Sequence, residues 1–446
     1  MNDISHIFRA YDIRGIYGKD LTDEVAYKIG FVVGSKEKFV VGNDIRASSP
    51  ALAKALMAGL KAKAAEIIYV GEASYGQTLF AGKLFSAEKT IFITASHLPP
   101  EWNGVKPYHG DGIAFSESEL KSLRDKVLEM EEAKFSPAEE KIQDVKKEYS
   151  DFLFRTFKIP RKLKIVLDCG NGATCLSAPE IFKRFGHEVI EMFCAPDARF
   201  PNRPSEPSPE NISALRKKVL ETGADMGIAF DGDGDRSAVV DGTGRVLTGN
   251  ETGVMIGCDI LKNNGGAKVI KTVSCSMAID TEFAPHSAKI ITTPVGHTFV
   301  GEAVKREGAV IGIEESGHVF IPEYAYYDDA LFVPLKIMEI LSSSKRKLSE
   351  IADEHPIYPF EEIVFKCVDS EKFKIIDRFK EKLSKKYLDT NTLDGVKVNF
   401  DDGWTLVRAA NTSPKIRLYV EALSQKRFED LKKEFLGYLE EEGLHL

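Results

Sequence analysis

Three aspartates, Asp231, Asp233 and Asp235, alternate with two glycines in one short segment, and Arg236 follows them directly. Carboxylates at alternate positions project toward one side, and the glycines let the backbone wrap closely around a hard cation. Because three neighbouring carboxylates repel one another, an acidic surface hairpin without a counter-ion is a costly alternative. The segment therefore predicts a divalent metal site, and magnesium is the ion that suits it best.

A calcium-binding EF-hand loop is the main competing interpretation of this acidic segment. Its sixth position would need glycine and is Arg236, and its twelfth would need glutamate and is Gly242. The apolar runs 226–230 and 237–241 on either side also read as strands, whereas an EF-hand has helices there. Both observations disfavour a calcium loop.

A second candidate segment contains Ser96, which follows the apolar run 90–93 where a buried strand should emerge into a loop. In open α/β sheets ligands bind at the carboxyl ends of strands, where the next helix presents free N–H groups. Two consecutive prolines stiffen the segment, and Asn103-Gly104 is expected to form a turn before Lys106. We therefore expect Ser96 and Lys106 to share one constrained loop; a Ser/Pro-rich surface turn is the alternative.

Glu314 and Ser316 lie in a third polar segment between two apolar runs. A carboxylate beside a hydroxyl suits the hydroxyl groups of a sugar, although an ordinary charged hairpin turn is also possible. Two histidines nearby in the sequence, His297 and His318, could contact a ligand or carry protons, but a lone histidine is more often structural.

The fourth segment combines two arginines, Arg408 and Arg417, with Asn411 and Thr412 on a loop that a proline stiffens. Forked guanidinium donors, an amide and hydroxyls suit a phosphate dianion, and a solvated basic turn is the alternative. The chain carries a formal net charge of −8, so an anionic ligand needs a local cationic pocket of this kind.

The whole chain constrains the class of protein. Its 446 residues predict about three domains, with room for two to four. With 43% hydrophobic and 29% charged residues, neither a disordered nor a membrane protein is indicated, and the negative charge disfavours nucleic acid as a partner. The six cysteines have no metal-ligand spacing, and no signal segment is recognisable. We expect a cytoplasmic protein.

An order of strand, helix and strand recurs three times, over residues 39–70, 164–192 and 269–292. This order calls for parallel pairing with right-handed crossovers, so we predict three successive α/β domains with mixed, largely parallel sheets. After residue 356 the pattern changes to a C-terminal α+β domain. The expected domains are 1–150, 151–250, 251–357 and 358–446.

Several common nucleotide and ester-cleaving motifs are absent from the sequence. It contains neither a G-x-x-x-x-G-K-[ST] phosphate loop nor a G-x-S-x-G elbow, which disfavours nucleotide hydrolases and serine esterases. The segment 170–175 follows a strand but lacks the third glycine of a dinucleotide fingerprint, so a NAD enzyme is weakly supported.

Taken in order, the four segments resemble those of the α-D-phosphohexomutase superfamily, most closely its phosphomannomutase/phosphoglucomutase branch. The resemblance also includes the N-terminal segment 8–15, which contains Tyr11 and Arg14. It implies four domains around a central cleft, each of which contributes one loop. The metal would be Mg²⁺, and a hexose 1,6-bisphosphate would serve as activator.

The resemblance also implies residue roles. Ser96 would be the phosphorylated residue, and one of its phosphate oxygens would bind Mg²⁺ together with Asp231, Asp233 and Asp235. Lys106 would be the general acid/base, assisted by His97 and His318, which requires a lowered pKa for the lysine. The implied substrate contacts are Tyr11, Arg14, Arg236, His297, Glu314, Ser316, Arg408, Asn411, Thr412 and Arg417.

The implied reaction interconverts a hexose 1-phosphate and a hexose 6-phosphate of mannose or glucose, through phosphoserine and a bound bisphosphate that turns around. Phosphoglucosamine or phosphopentose mutase, a metal-dependent sugar phosphatase, and a non-enzymatic sugar-phosphate sensor remain alternatives. Two positions depart from the family pattern: Leu98 replaces an asparagine, and Ala410 replaces a small hydroxyl residue. We expect a phosphosugar as the partner, neither nucleic acid nor membrane, and a monomer or small homo-oligomer.

Overall fold

A computed structural model describes residues 4–9, 12–411 and 413–445. Tyr11 and Thr412, two of the predicted substrate contacts, lie outside the described residues. Among the described helices, none combines the length and apolar character that crossing a bilayer requires.

Domain 1 contains a five-stranded mixed sheet. Its elements are β1 (Ile13–Ile16), α1 (Asp23–Val33), β2 (Lys38–Asn43), α2 (Ser49–Ala62), β3 (Glu66–Glu72), α3 (Tyr75–Leu84), β4 (Lys89–Ile93), β5 (Trp102–His109) and α4 (Glu117–Glu129). The strand order is β1-β5-β4-β2-β3. The three strands joined by helices, β2, β3 and β4, are parallel as the pattern predicts, whereas β5 is antiparallel to both of its neighbours.

The route of the chain after β4 differs from our expectation. The next element is strand β5 and not a helix, so the Ser96 loop has no following helix N-terminus. Asn103 and Gly104 lie within β5, where Gly104 pairs with Arg14 of β1, and they form no turn. A Cβ on Gly104 would lie 2.4 Å from the Ile13 carbonyl oxygen, so the close strand pairing requires glycine. Lys106 therefore stands on a strand and not on the Ser96 loop.

Domain 2 repeats the arrangement. Its elements are α5 (Lys146–Thr156), β6 (Lys164–Asp168), α6 (Ala178–Arg184), β7 (Glu188–Met192), α7 (Ser213–Thr222), β8 (Met226–Phe230), β9 (Ser237–Asp241) and β10 (Val246–Leu247). The sheet order is β10-β9-β8-β6-β7, with β6, β7 and β8 parallel. The aspartate segment joins β8 to β9 in an antiparallel hairpin. Helix α5 runs across residue 150, and the domain boundary there stays a prediction.

Domain 3 has a smaller sheet. Its elements are α8 (Gly249–Leu261), β11 (Lys268–Thr272), α9 (Ala278–Phe283), β12 (Lys289–Thr293), α10 (His297–Glu307), β13 (Ile311–Ile313), β14 (Val319–Phe320), α11 (Phe332–Ser342) and α12 (Leu348–Ala352). The strand order is β12-β11-β13-β14, and only the β13–β14 pair is antiparallel. The Glu314 loop connects that pair.

Domain 4 has an entirely antiparallel sheet. Its elements are β15 (Phe360–Lys366), α13 (Lys372–Lys386), β16 (Thr390–Asn391), β17 (Val396–Phe400), β18 (Gly403–Ala409), β19 (Lys415–Ala422) and α14 (Gln425–Glu441). The strand order is β15-β19-β18-β17-β16. The four domains confirm the predicted fold class of three α/β domains with mixed sheets and a C-terminal α+β domain.

The apolar cores divide the molecule differently from the sheets. One continuous cluster of buried side chains contains residues of domains 1, 2 and 3, including Phe92, Phe230 and Phe332. Domain 4 has a separate cluster, which includes Phe379 and Leu431. A small group around Val273 and Trp404 joins domain 4 to domain 3. Domains 1 to 3 therefore form one packed body, which we call the shared body.

Candidate active site

Ser96 stands on the loop between β4 and β5 in an uncommon backbone conformation. Its φ is +50°, in the left-handed region that side chains other than glycine seldom adopt. Its N–H donates to Thr94 Oγ1 at 2.9 Å, and its Oγ donates to Asp231 Oδ2 at 3.0 Å. The surrounding bonds thus hold a strained residue with its hydroxyl aimed at the aspartate segment of domain 2.

Arg46, a residue that sequence reasoning missed, organises the Ser96 loop. Its guanidinium is fully buried and donates to four carbonyl oxygens of this part of the chain, those of Ser96, Leu98, Pro99 and Trp102, at 2.6 to 3.0 Å. Its Nε donates to Asp44 Oδ2 at 3.0 Å, which pairs the buried charge. Arg46 therefore fixes the path of the loop from inside. The signal available was an Asp-x-Arg sequence at the end of buried strand β2.

The aspartate segment wraps around one of its own carboxylates. Asp231 Oδ1 accepts the backbone N–H groups of Gly234, Asp235 and Arg236 at 3.0 to 3.2 Å. Gly234 has a φ of +80°, and a Cβ on Gly232 would lie 2.6 Å from the Ser96 carbonyl oxygen. The two glycines therefore permit the turn and the close approach of the serine loop.

The three aspartates fit a divalent cation. One carboxylate oxygen from each of Asp231, Asp233 and Asp235 lies within 4.8 Å of the others, and all three side chains are buried. Among the described residues, Asp233 Oδ1 accepts no hydrogen bond although it is buried. A buried carboxylate oxygen without a donor is costly, and a hard cation would satisfy it. Burial, together with repulsion from Asp235 and Asp233, raises the pKa of Asp231 well above its usual range.

Lys106 reaches the aspartates from β5. Its Nζ lies 3.1 Å from Asp233 Oδ2 and 2.9 Å from Asp235 Oδ2, and its side chain is buried. Burial alone would lower the pKa of Lys106, but the two carboxylates outweigh it and raise this pKa well above its usual range. The lowered pKa that a general base requires is therefore not present here, and the group holds its proton.

Arg236 links the aspartate segment to His97 of the serine loop. Its guanidinium forms a two-pronged pair with Glu206 at 2.9 and 3.1 Å, and its Nη2 lies 2.9 Å from His97 Nδ1. Partial burial and the charges of Arg236 and Arg14 lower the pKa of His97 well below its usual range. His97 is therefore neutral near pH 7. Glu206 comes from the proline-rich loop 196–209. The length and polarity of this loop did not indicate from the sequence that Glu206 would be a site residue.

His318 is oriented by a second carboxylate that the sequence did not reveal. Its Nδ1 forms a very short contact with Asp328 Oδ2, and Tyr75 of domain 1 donates to Asp328 Oδ1 at 3.0 Å. Although burial alone would lower it, Asp328 raises the pKa of His318. The ring of His297 lies 5.4 Å from that of His318, and burial lowers the pKa of His297. The two predicted histidines thus lie together in domain 3.

Glu314 is fixed within the β13–β14 loop. Its Oε1 accepts from Ser316 Oγ at 2.5 Å and its Oε2 accepts from the N–H of Gly296 at 3.1 Å. Next to it, burial and repulsion from Glu362 and Glu314 raise the pKa of Glu315 to about 8. Glu314 and Ser316 therefore share one hydrogen bond, as an acceptor and donor pair suited to sugar hydroxyls.

The arginines of domain 4 are held by acidic partners. Arg408 Nε donates to Asp394 Oδ2 at 2.9 Å, and Arg417 Nη1 forms a very short contact with Glu362. Lys372, which sequence reasoning also missed, donates to the carbonyl oxygens of Ala410 and Ser413 at 2.7 and 3.1 Å. Arg408, Arg417 and Lys372 are thus each bound by groups of domain 4 itself.

Contacts between domains place the basic loop of domain 4 beside domains 1 and 3. Asn411 Nδ2 of domain 4 donates to the Val295 carbonyl oxygen of domain 3 at 3.2 Å, and Arg9 of domain 1 lies 3.6 Å from Asp369. A cavity of about 450 Å³ opens between domains 1, 3 and 4 and includes Arg9, Asp394 and Asn411 in its wall. This cavity borders the basic loop but does not include Ser96. Arg14 stands on β1 and pairs with Asp12 at 2.6 Å.

Comparison with known proteins covers the same four regions. Family models described as "Phosphoglucomutase/phosphomannomutase, alpha/beta/alpha domain" I, II and III match residues 5–134, 145–244 and 248–358. A fourth, described as the phosphoglucomutase/phosphomannomutase C-terminal domain, matches residues 362–437. The four matches follow one another in the order of the domains.

Individual relatives match over nearly the whole chain. A Pseudomonas putida protein named "Phosphomannomutase/phosphoglucomutase" is 34% identical over 439 residues, which are 96% of this chain and 94% of the relative. A Methanosarcina barkeri protein named "Probable phosphoglucosamine mutase" is 34% identical over 425 residues, 93% and 95% of the two chains. The crystal structure of a phosphoglucomutase/phosphomannomutase family protein from Burkholderia thailandensis has a TM-score of 0.88 at 30% identity and covers 98% of this chain and 97% of its own.

Proposed function

Because the chain belongs to the phosphoglucomutase/phosphomannomutase family, we propose that it is a phosphosugar mutase that interconverts hexose 1-phosphate and hexose 6-phosphate of mannose and glucose. The observation that carries the proposal is the placement of Ser96. Its hydroxyl lies 3.0 Å from Asp231, within a cluster of three carboxylates that fits a divalent cation. A hydroxyl beside such a cation site is suited to carry a phosphoryl group.

The reaction that follows is two transfers in opposite directions. The phosphoryl group on Ser96 Oγ passes to the free hydroxyl of the hexose phosphate, so that one P–O bond breaks as another forms. The product is a hexose 1,6-bisphosphate, which turns around in the cleft. Its other phosphate then returns to Ser96, and the isomeric monophosphate leaves. A free hexose 1,6-bisphosphate would act as activator by phosphorylating Ser96 in an enzyme that has lost its phosphate.

Phosphoryl transfer depends mainly on charge neutralisation and alignment. Asp231, Asp233 and Asp235 would hold Mg²⁺, which would supply positive charge beside the transferred group. Lys106 and Arg236 add fixed cations there. We assign the donation of a proton to Lys106 and the removal of the proton from the attacking hydroxyl to the neutral His97, with His318 assisting. Lys106, which holds its proton, is suited to protonate the oxygen that leaves.

The remaining predicted residues bind the rest of the substrate. Glu314 and Ser316 would bind sugar hydroxyls, and Arg408 and Arg417 would hold the phosphate that is not being transferred. Because a phosphate clamp and hydroxyl contacts can accept the sugar in either orientation, the same cleft serves both transfers. Arg14, His297 and Asn411 complete the proposed contacts, together with Tyr11 and Thr412 outside the described residues.

Several finer assignments belong to the same proposal. We propose Mg²⁺ as the ion, domain boundaries near residues 150, 250 and 357, a cytoplasmic location, a monomer or small homo-oligomer, and neither nucleic acid nor membrane as a partner. The ordered donor set of carboxylates favours a hard cation. The net charge of −8 disfavours a nucleic-acid surface.

Phosphorus NMR provides the direct test. Mannose 1-phosphate or glucose 1-phosphate is incubated with the protein, Mg²⁺ and a trace of the matching 1,6-bisphosphate. We expect the 6-phosphate to appear, and we expect Ser96→Ala to lose this activity while Ser213→Ala, an exposed serine of α7, retains it. Mass spectrometry of peptides should find phosphate on Ser96.

Two outcomes would contradict the proposal. Inorganic phosphate released without any 6-phosphate would indicate a sugar phosphatase. Turnover that is unaffected by Ser96→Ala would show that this hydroxyl does not carry the phosphoryl group.

A phosphoglucosamine mutase is a second candidate, because the Methanosarcina barkeri relative with that name is as similar in sequence as the Pseudomonas putida relative. Comparison of kcat/KM for mannose, glucose, glucosamine and ribose 1-phosphates separates these substrates. We expect mannose and glucose to have the highest values.

A further inference from the structure

Three side chains that could ligate a metal converge in domain 3, away from the aspartate cluster. They are Cys258 of α8, Glu282 of α9 and His355 in the connector between α12 and β15. One ligand atom from each, a sulfur, a carboxylate oxygen and a ring nitrogen, lies within 4.8 Å of the other two. The proposed mutase reaction uses none of these residues.

Ordinary packing explains only part of this group. Glu282 Oε2 and His355 Nδ1 lie 2.5 Å apart and form an ion pair or hydrogen bond. The thiol of Cys258 makes only a weak contact, 3.9 Å from the carbonyl oxygen of Glu282. A good hydrogen bond therefore accounts for two of the three groups, and the sulfur stands beside them without a strong donor or acceptor of its own.

The types of donor select a metal different from that of the aspartate cluster. Thiolate, imidazole and carboxylate are the ligands of zinc, which takes three protein ligands and a water molecule where its fourth position is open. In a tetrahedral site the ligand atoms lie about 3.3 to 3.8 Å apart, so Glu282 and His355 must separate by about 1 Å to bind one ion between them, while the sulfur lies within 4.8 Å of both. The side chains of Glu282 and His355 are 23% and 14% exposed, which gives an ion and a water molecule access.

We propose that Cys258, Glu282 and His355 form a zinc site separate from the aspartate cluster. On binding, the thiol of Cys258 loses its proton to solvent, and sulfur, nitrogen and oxygen each form a bond to the ion. Magnesium prefers oxygen ligands only, so the two sites discriminate between the two metals by the softness of their donors.

The position of the site gives it a structural role. His355 belongs to the connector that leads to domain 4, whereas Cys258 and Glu282 stand on two helices of the shared body. The start of α9 already contacts domain 4, since Met277 N donates to Glu421 Oε2 at 2.8 Å. A zinc ion would fasten the connector to α8 and α9, next to the contact between domains 3 and 4.

Cobalt spectroscopy of the full-length protein tests the proposal. With Mg²⁺ in large excess to fill the aspartate cluster, Co²⁺ is added and the sulfur-to-cobalt absorption is recorded. We expect about one thiolate-bound Co²⁺ per chain, displaced by Zn²⁺. We expect Cys258→Ser to abolish the absorption and His355→Gln to shift it to higher Co²⁺ concentrations.

Cys367→Ser, which removes a half-buried thiol of domain 4, serves as the matched control and should behave as the unaltered chain. Circular dichroism checks that each variant is folded, and Zn²⁺ should raise the thermal midpoint of the unaltered chain but not of Cys258→Ser. The proposal is overturned if the unaltered protein gives no sulfur-to-cobalt absorption, or if the absorption persists in Cys258→Ser.

Discussion

The region around Ser96 and the phosphate loop of domain 4 are built in different ways. Ser96 is held by contacts from two domains. Arg46 of domain 1 binds the carbonyl oxygens of the loop, and Asp231 of domain 2 accepts a hydrogen bond from the Ser96 hydroxyl. The arginines of domain 4 are paired with Asp394 and Glu362, both of the same domain. The first region is fixed across the junction of domains 1 and 2, whereas the two arginines of the second pair within domain 4, which meets domain 3 through Asn411 and Asp394.

The apolar cores extend this difference to the whole molecule. The Ser96 region belongs to the shared body, in which one buried cluster contains residues of three domains and domain 1 has a second cluster of its own. The phosphate loop belongs to a domain with its own core, joined to the rest by a small group around Val273 and Trp404. The difference teaches that Ser96 lies in a body packed from several domains, whereas the proposed phosphate clamp lies in a domain with a core of its own.

The separation of the two cores gives the largest expected effect. Leu431→Ala removes a fully buried side chain of domain 4 and should lower the unfolding free energy of that domain by about 3 kcal/mol. The shared body should keep its stability. Denaturant unfolding is followed by tryptophan fluorescence, because the chain has two tryptophans, Trp102 in domain 1 and Trp404 in domain 4.

In Trp102→Phe and Trp404→Phe backgrounds, each body has its own fluorescent reporter. The matched variant Leu335→Ala removes a fully buried leucine of the shared core. It should lower the unfolding free energy of the shared body and leave that of domain 4 unchanged. A single transition that moves equally in both backgrounds would show that the two cores are one cooperative unit.

The rigidity of the serine loop is tested by Arg46→Lys. A lysine cannot donate to all the carbonyl oxygens that Arg46 now binds, so the loop should shift and kcat should fall about 100-fold. KM should change little, because Arg46 is not placed to contact the sugar phosphate. Arg199→Lys, at an exposed arginine whose side chain is 82% exposed, is the control. A large rise in KM with unchanged kcat would contradict this assignment.

The clamp is tested by Arg417→Lys. The loss of the forked donor should raise KM about tenfold, with a smaller effect on kcat, because the interaction is made with substrate and transition state alike. Arg427→Lys, whose arginine pairs with Asp402 elsewhere in domain 4, should have no effect. If kcat fell as KM stayed constant, the clamp would act in the transition state only, and the contrast with Arg46 would disappear.

The pH effect that Asp329 has on stability should be confined to the shared body. Burial raises the pKa of Asp329 from 3.8 to about 7, and this carboxyl group accepts from Tyr149 at 2.8 Å. In this pH range the folded state holds a proton on Asp329 that the unfolded state releases. The contribution of this proton to the free energy of unfolding is therefore complete below pH 4 and is lost as pH rises through 7.

Between pH 6 and pH 7 the unfolding free energy of the unaltered chain should fall by about 1 kcal/mol more than that of Asp329→Asn. Trp102 fluorescence should report the difference and Trp404 fluorescence should not. If the unfolding free energies of the two proteins changed in parallel with pH, Asp329 would not be the cause of the pH effect.

The candidate site segments could be recognised from the sequence because each of them is local. Alternating aspartates and glycines, or arginines around a proline-stiffened loop, have a physical meaning within ten residues. The strand and helix order likewise predicted the fold class. Arg46 and Glu206 were missed because their partners lie 50 and 30 residues away in the sequence, and Asp328 because only the fold of the intervening loop brings it back to His318. Such contacts depend on tertiary packing and leave no periodic signal.

The expected turn at Asn103-Gly104 was wrong for a related reason. This dipeptide is a strong turn signal when neighbouring residues alone decide the conformation. Here the pairing of β5 between β1 and β4 decides it, and the glycine is needed for space beside two carbonyl oxygens rather than for a turn. The sequence could not distinguish these two uses of glycine.

The division of the apolar cores also has a consequence for how the chain tolerates being cut. A break in the connector near residue 357 leaves two fragments that each retain a complete interior, and such fragments can reassociate through the Val273 and Trp404 contact. A break near residue 250 divides the apolar cluster that domains 1 to 3 share, and it exposes apolar surface on both fragments. The four sheets define four domains, but the connector near residue 357 is the place where a cut would separate one core from another.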